Sequence, residues 1–309
     1  MNTPTHSLII MLVVLLILTI TSITCMILKK KNPARDYTEL RLKIQSWWVM
    51  ILVLFLVLLL NRGFFIALSA FISFLALKEF FSIVPLRPTD RRVIFLAYLA
   101  IPFQYYWIYS AWYGMFVVFI PIYMFLFLPM RMVFTGETKG FIRAAGIIQW
   151  ALMLTVFCIS HIPYLLMLPV KNDAAGAIGL VLYLLFMTQL NDVSQYIWGK
   201  SLGNNKILPL ISPDKTWEGF IGGVGTVIIC STFIAPFLTP LSYIEGALAG
   251  GLIAVAGFIG DIVVSAVKRD LHIKDSGTLI PGQGGILDQF DSLTFAAPLF
   301  FHFLYYLVY

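Results

Sequence analysis

Long apolar runs separated by short polar segments recur from one end of the chain to the other. A transmembrane helix needs about 20 mostly apolar residues. By that measure the pattern predicts ten spans: 8–28, 46–60, 64–84, 93–110, 112–130, 142–162, 176–197, 219–238, 243–265 and 292–309. The second is short. It and the third flank Asn61-Arg62-Gly63, which predicts a tight helical hairpin. The expected fold class is therefore an all-α polytopic membrane protein of about ten transmembrane helices. No fixed-period repeat and no low-complexity tail interrupts the pattern.

Composition agrees. Of 309 residues, 60% are hydrophobic and 12% charged, against about 25% charged in soluble domains. Helices sharing one bilayer form a single integral membrane domain, read here as transmembrane helices over 1–175 and a C-terminal catalytic part over 176–309. The first run has no preceding basic segment and no obvious cleavage site, and Lys29-Lys30-Lys31 follows it. It is expected to be a retained anchor.

Charge sets the orientation. All but Arg62 and Lys171 of the 21 Lys and Arg residues fall in alternate loops or beside them. Cytoplasmic loops are the basic ones, so both termini are expected outside and the basic loops in the cytoplasm. Loop style and length point to a bacterial plasma membrane. A net charge of +6 placed in such loops indicates topology, anionic lipid or an anionic substrate rather than nucleic acid. Cys25, Cys158 and Cys230 lie in apolar runs without metal or disulfide spacing and read as packing residues.

Two of the cytoplasmic loops, 198–218 and 266–291, are rich in Gly, Asp, Lys and Ser. Asp192, Tyr196 and Lys200 precede the first on one helical face. Ser212, Lys215 and Thr216 then bring hydroxyls and a cation together on flexible backbone, a mixture suited to phosphate. The same stretch reads equally as a helix start, with Ser212-Pro213 or Asp214 capping the eighth span. Gly199-Lys200-Ser201 imitates a phosphate-binding loop, but that motif needs glycine where this chain has Ser194.

Asp261, Ser265 and Lys268 share a helical stripe beside Arg269. An intramembrane carboxylate costs about 2.5–3.5 kcal/mol to insert, so a partner is expected for Asp261, either functional or a structural pair with Lys268 or Arg269. Asp288 and Asp291 are three residues apart, beside Gly284-Gly285, whose missing side chains permit close approach to a ligand. Hard oxygens of this kind suit Mg²⁺. Asp291 alone also reads as the N-cap of the tenth span. Glu79, at the inner end of the third span, either faces this region or pairs with Lys78.

These residues resemble the phosphatidate cytidylyltransferase (CDP-diglyceride synthetase) family. Ser265, Lys268, Arg269, Lys274, Asp275, Pro281, Gly284, Gly285, Asp288 and Asp291 match its signature at the right spacing. Asn191, Asp192, Tyr196, Gly199, Gly203, Ser212, Pro213 and Lys215–Gly219 match upstream. The likeness covers roughly residues 185–309. It implies transfer of CMP from CTP to phosphatidate, giving CDP-diacylglycerol and pyrophosphate. With that reaction in view, Asp192, Asp261, Asp288 and Asp291 are expected to hold Mg²⁺. Lys268, Arg269, Ser265 and Asp288 are expected to be catalytic, and Lys200, Ser212, Lys215, Thr216, Lys274, Gly284 and Gly285 to bind substrate. The family also implies a homodimer. His272 reads as a solvated loop residue.

Two departures limit the match. Gln283 replaces the family's His and cannot carry its proton. Gln289 replaces an Arg and removes a fixed cation. The alternatives are a nucleotidyltransferase or lipid kinase acting on another lipid, a transporter using Asp192 and Asp261, and an inactive relative.

Overall fold

The computed structural model describes residues 4–33 and 36–309; Arg35, one of the basic loop residues, lies outside them. Among the described residues, ten long helices follow one another: α1 (Thr5–Lys31), α2 (Thr38–Leu60), α3 (Arg62–Ile83), α4 (Arg91–Tyr109), α5 (Tyr113–Val133), α6 (Phe141–Met167), α7 (Gly176–Leu202), α8 (Trp217–Leu238), α9 (Tyr243–Asp270) and α10 (Ile286–Val308). Nine are long and apolar enough to cross a membrane. The tenth, α4, opens on Arg91-Arg92 and carries the buried Gln104. The chain is an integral membrane protein with the predicted fold class.

Each predicted span falls on one helix, but most helices run further. α2 begins at Thr38 rather than 46, and α10 at Ile286 rather than 292. Apolar runs mark only the lipid-immersed part of a helix, and polar turns continue it into the head-group layer. The α2–α3 hairpin is as predicted: the Asn61 side chain accepts from the Gly63 N–H at 3.0 Å and starts α3. A short antiparallel hairpin, β1 (Lys206–Leu208) with β2 (Ser212–Thr216), adds to the helical pattern in loop 198–218.

The ends of the helices gather as alternating crossings require. At one end the His6 N–H donates to the Ala174 carbonyl at 2.9 Å. The His6 ring stacks on Phe237, with 3.8 Å between centroids. Asn172 donates to the Thr239 carbonyl at 3.0 Å, and Lys171 to the Val308 carbonyl. At the other end Arg87 donates to the Lys139 carbonyl at 2.9 Å, Ser46 to Pro281 at 2.8 Å and Arg269 to Ile211 at 3.1 Å. The basic loops thus share one end, with the termini at the opposite one.

α5 and α6 each contain a π-helical turn, Phe119–Met124 and Met153–Phe157. Pro121 accounts for the first. It has no N–H, and the carbonyl it would serve five residues back is that of Phe116. Gln104 from α4 donates to that carbonyl at 3.1 Å. Gln149 from α6 likewise reaches Ile120 at 3.2 Å. In lipid a freed backbone group needs such a neighbour.

Candidate functional site

The site is assembled at the basic end, where α7, α9 and α10 meet the β-hairpin. Close helix approach makes this meeting: a Cβ on Gly260 of α9 would lie 2.4 Å from the Asp291 carbonyl of α10. Small residues let membrane helices approach in this way. Three acids, one per helix, are thereby brought together. Asp192 accepts from the Ser292 hydroxyl at 3.1 Å, so α7 and α10 are tied through it. Asp261 accepts from Ser265 one turn on at 3.3 Å, along the stripe read from the sequence. Asp291 interacts electrostatically with both Asp261 and Asp192.

Lys215 enters this group from β2. The Thr216 side chain caps α8 by accepting from the Gly219 N–H at 3.1 Å and is buried. The cap is thus Thr216, not Ser212 or Asp214. Strand alternation points the preceding residue the other way. The Lys215 ammonium lies 2.6 Å from the Asp261 carboxylate and 3.1 Å from the Gln195 amide oxygen. Burial opposes its charge, but Asp261, then Asp192 and Asp291, outweigh this and raise the ammonium above its usual pKa. The hairpin is fixed at its base by Glu218, whose carboxylate accepts from the Asn205 side chain at 2.7 Å and from the backbone N–H groups of Asn204 and Asn205.

Asp288 stands apart from the three acids. One of its oxygens pairs with Lys268 at 2.7 Å, and the pair is nearly buried, with side-chain exposures of 12% and 9%. The other accepts from Ser276 N–H at 2.8 Å, the Ser276 hydroxyl at 2.9 Å and Gly285 N–H at 3.0 Å. Glu79 reaches the same turn from α3. It accepts from Ile286 N–H at 2.9 Å and Leu287 N–H at 3.0 Å, and it lies against the Ser276 hydroxyl, whose single proton it shares with Asp288. Glu79 thus caps α10 and faces this region rather than pairing with Lys78. Asp291 lies within α10, not at its cap.

The glycines follow from these carboxylates. A Cβ on Gly285 would lie 2.0 Å from Glu79, and one on Gly284, whose φ is +89°, 2.5 Å from Asp288. They admit protein carboxylates at this point. Gln283 turns away and donates to the Lys43 carbonyl of α2 at 3.1 Å.

The remaining expected residues are more open. Lys200 is exposed and leans on Tyr196, its hydroxyl 3.4 Å away. Arg269 is exposed and donates to the Ile211 and Ile273 carbonyls. Lys274 is exposed and Ser212 half-buried at the start of β2. Sequence reasoning left out Gln195 and Ser276. The signal for Gln195 was its place three residues after Asp192 on α7, one helical turn away. Ser276 gave none, because its role depends on a loop fold.

A model of the cytidylyltransferase family matches residues 41–307. The chain belongs to that family. It is 44% identical over 277 residues to the uncharacterized protein YnbB of Escherichia coli (strain K12), covering 90% of this chain and 91% of that one. It is 36% identical over 176 residues to the phosphatidate cytidylyltransferase of Bacillus subtilis (strain 168), 57% of this chain and 60% of that protein. The enzyme of that name from Synechocystis (strain PCC 6803) is 46% identical over 114 residues, 37% of this chain and 39% of its own. The chain thus spans less than two thirds of the relatives that bear an enzyme name.

A divalent cation here would need hard oxygen ligands such as these acids. Among the described residues no three His, Cys, Asp or Glu side chains are close enough to enclose a metal ion by themselves. Mg²⁺ does not require that, since it uses one or two carboxylates, water and substrate phosphate oxygens. Asp261 fits the role, since it already holds the Lys215 ammonium at 2.6 Å, and Asp192 and Asp291 lie close enough to act on the same cation electrostatically. Asp288 fits it less well, because its carboxylate already holds Lys268 and two backbone N–H groups, where Asp261 holds Lys215 and one hydroxyl.

Proposed function

We propose that this cytidylyltransferase transfers CMP from CTP to a lipid phosphate, with phosphatidate as the acceptor, at the basic end of the bundle on the cytoplasmic face of a bacterial plasma membrane. The products are CDP-diacylglycerol and pyrophosphate. The observation that carries this reading is the Lys215 ammonium paired with Asp261 at 2.6 Å, with Asp192 and Asp291 acting on it electrostatically, beside the nearly buried Lys268–Asp288 pair.

The chemistry suits these residues. A phosphate oxygen of the lipid, already ionised at neutral pH, bonds to the α-phosphorus of CTP. The bond from that phosphorus to the α–β bridging oxygen breaks, and its electron pair leaves with pyrophosphate. No general base is needed. The barrier is anion meeting anion, so fixed cations and hydrogen-bond donors supply the stabilisation. Lys215 lies among the acids, where its charge is directed by Asp261. Asp288 holds Lys268 in one orientation. Lys200, Lys274 and Arg269 are exposed at the same end and neutralise the triphosphate as it arrives. Mg²⁺, held by Asp261 with Asp192 or Asp291, would add charge neutralisation at the phosphates.

Gln283 favours a second reading of the acceptor. It is tied to the backbone of α2 and offers no titratable group, which supports a lipid phosphate other than phosphatidate. Purified protein, labelled CTP and a panel of lipid phosphates, with and without Mg²⁺, separate these readings. CDP-lipid and pyrophosphate should form in equal amounts and only with Mg²⁺. Failure to consume CTP with every lipid phosphate would falsify the assignment.

A further inference from the structure

A cavity of about 870 Å³ opens between α1 and α2 at the basic end. Its apolar side is lined by Cys25, Met26 and Trp48, and its polar end by Lys29, Asp36 and Arg41. The Trp48 indole donates to the Ser22 hydroxyl at 3.0 Å, so the floor is closed. Beyond it, Leu12, Leu16, Val49 and Leu52 are exposed on the two helices and continue the apolar surface along the membrane.

The charges at the mouth are not balanced. Asp36 is engaged locally, accepting from the Thr38 N–H at 2.8 Å and hydroxyl at 2.6 Å. Lys43 is taken by Glu39 at 2.6 Å. Arg41 has no side-chain hydrogen bond or ion pair among the described residues, and Lys29 has only its long-range attraction to Asp36. Among the described residues, the cations Lys29 and Arg41 thus line the mouth with one carboxylate, one oxygen of which is already engaged by Thr38, next to an apolar lining that runs into lipid. That combination matches a phosphate on two acyl chains.

α2 also links this cavity to the site. On the neighbouring face of the same helix, Ser46 donates to the Pro281 carbonyl, and the Lys43 carbonyl accepts from Gln283. The backbone of Gly282, with φ +76°, comes so close that a Cβ there would lie 3.1 Å from Leu42, itself part of the cavity lining. The segment held in this way leads into Gly284, Gly285 and Asp288.

Resting on the lipid-phosphate reading above, we infer that the α1–α2 cleft is where the acceptor lipid docks, its phosphomonoester between Lys29 and Arg41 and its chains along the outer faces of α1 and α2. The acceptor thus enters sideways from the bilayer, while CTP arrives from water at the α7–α9–α10 acids.

The test uses the full chain in phosphatidylcholine nanodiscs containing a minor fraction of phosphatidate. Lipid retained through purification is measured without nucleotide. The Lys29→Gln/Arg41→Gln variant should retain about tenfold less phosphatidate and show a correspondingly higher KM for it, the effect of losing charge-assisted hydrogen bonds to a phosphate. The KM for CTP should not move. Lys30→Gln/Lys31→Gln, on the same basic run but outside the cavity lining, should match wild type. Met26→Trp, which fills the cleft and keeps its cations, should lose phosphatidate as well. Equal losses in both lysine-containing pairs, no loss in either, or equal retention of a phosphodiester lipid such as phosphatidylglycerol would overturn the inference. Wild-type protein that retains phosphatidate but consumes no CTP would count against the cytidylyl-transfer reading and leave the docking site standing.

Discussion

Lys215 is held by opposing effects, burial against its charge and Asp261 at 2.6 Å in favour of it. Because its pKa is raised, the ammonium persists through neutral pH, and its effect fades only above the ordinary lysine range. Lys215→Met should therefore lower turnover at least tenfold across neutral pH. The same change should reduce the Mg²⁺ concentration needed for half-maximal rate, because three acids lose their fixed counter-charge. A Mg²⁺ titration of the variant reads both effects, and an unchanged Mg²⁺ requirement would dissociate Lys215 from the metal. Asp288 and Asp261 make a contrasting pair. Asp288→Asn breaks a nearly buried ion pair, a loss of about 3 kcal/mol. It should depress both the melting temperature and turnover while the Mg²⁺ requirement holds. Asp261→Asn should shift that requirement upward. If the two variants exchange behaviours in the titration, Asp288 is the ligand.

At the scale of elements, the start of α10 depends on a residue more than two hundred positions away in sequence. Glu79 serves two N–H groups of the first turn of α10 and the Ser276 hydroxyl. Glu79→Ala would leave the two N–H groups unpaired, while Ser276 keeps Asp288, at a cost of about 1–3 kcal/mol, read as a lower melting temperature in detergent with the helix content kept. Gly260→Val should act at the other side of the same helix. Its side chain would meet the Asp291 carbonyl, and overpacking of this kind costs about 1–3 kcal/mol and separates two of the acids. These examples mark what the sequence revealed. Nine of the helices were legible because lipid imposes length and apolarity on each one separately, and α4 because a shorter apolar run still marks it. Asp261 with Ser265 was legible because helical spacing alone places them together. The Asp288–Lys268 pair, the Glu79 cap and the Gln283–Lys43 bond were not, since each joins segments whose meeting depends on packing. The β-hairpin was missed because its polar strands, Lys206–Leu208 and Ser212–Thr216, show no apolar alternation.

For the whole molecule, the arrangement of the two ends makes sidedness testable. With the basic end in the cytoplasm, a cysteine placed at Asn204 should react with a membrane-impermeant maleimide only after cells are opened. One placed at Asp173 should react in intact cells. Cys25, Cys158 and Cys230 are replaced beforehand. Reversal of this pattern would put the acids on the face away from CTP.

The stacking of His6 on Phe237, and the bond from the Ser7 hydroxyl to the Ala175 carbonyl at 2.5 Å, also bear on biogenesis. α1 leaves the ribosome first, yet its partners follow it by 168 and 231 positions. At about 5–20 residues per second, α1 spends roughly ten to fifty seconds in the bilayer before those partners exist. During that interval it is held by lipid and by α2, whose Trp48 reaches Ser22, and the docking of its first turn closes the far end of the bundle late in assembly.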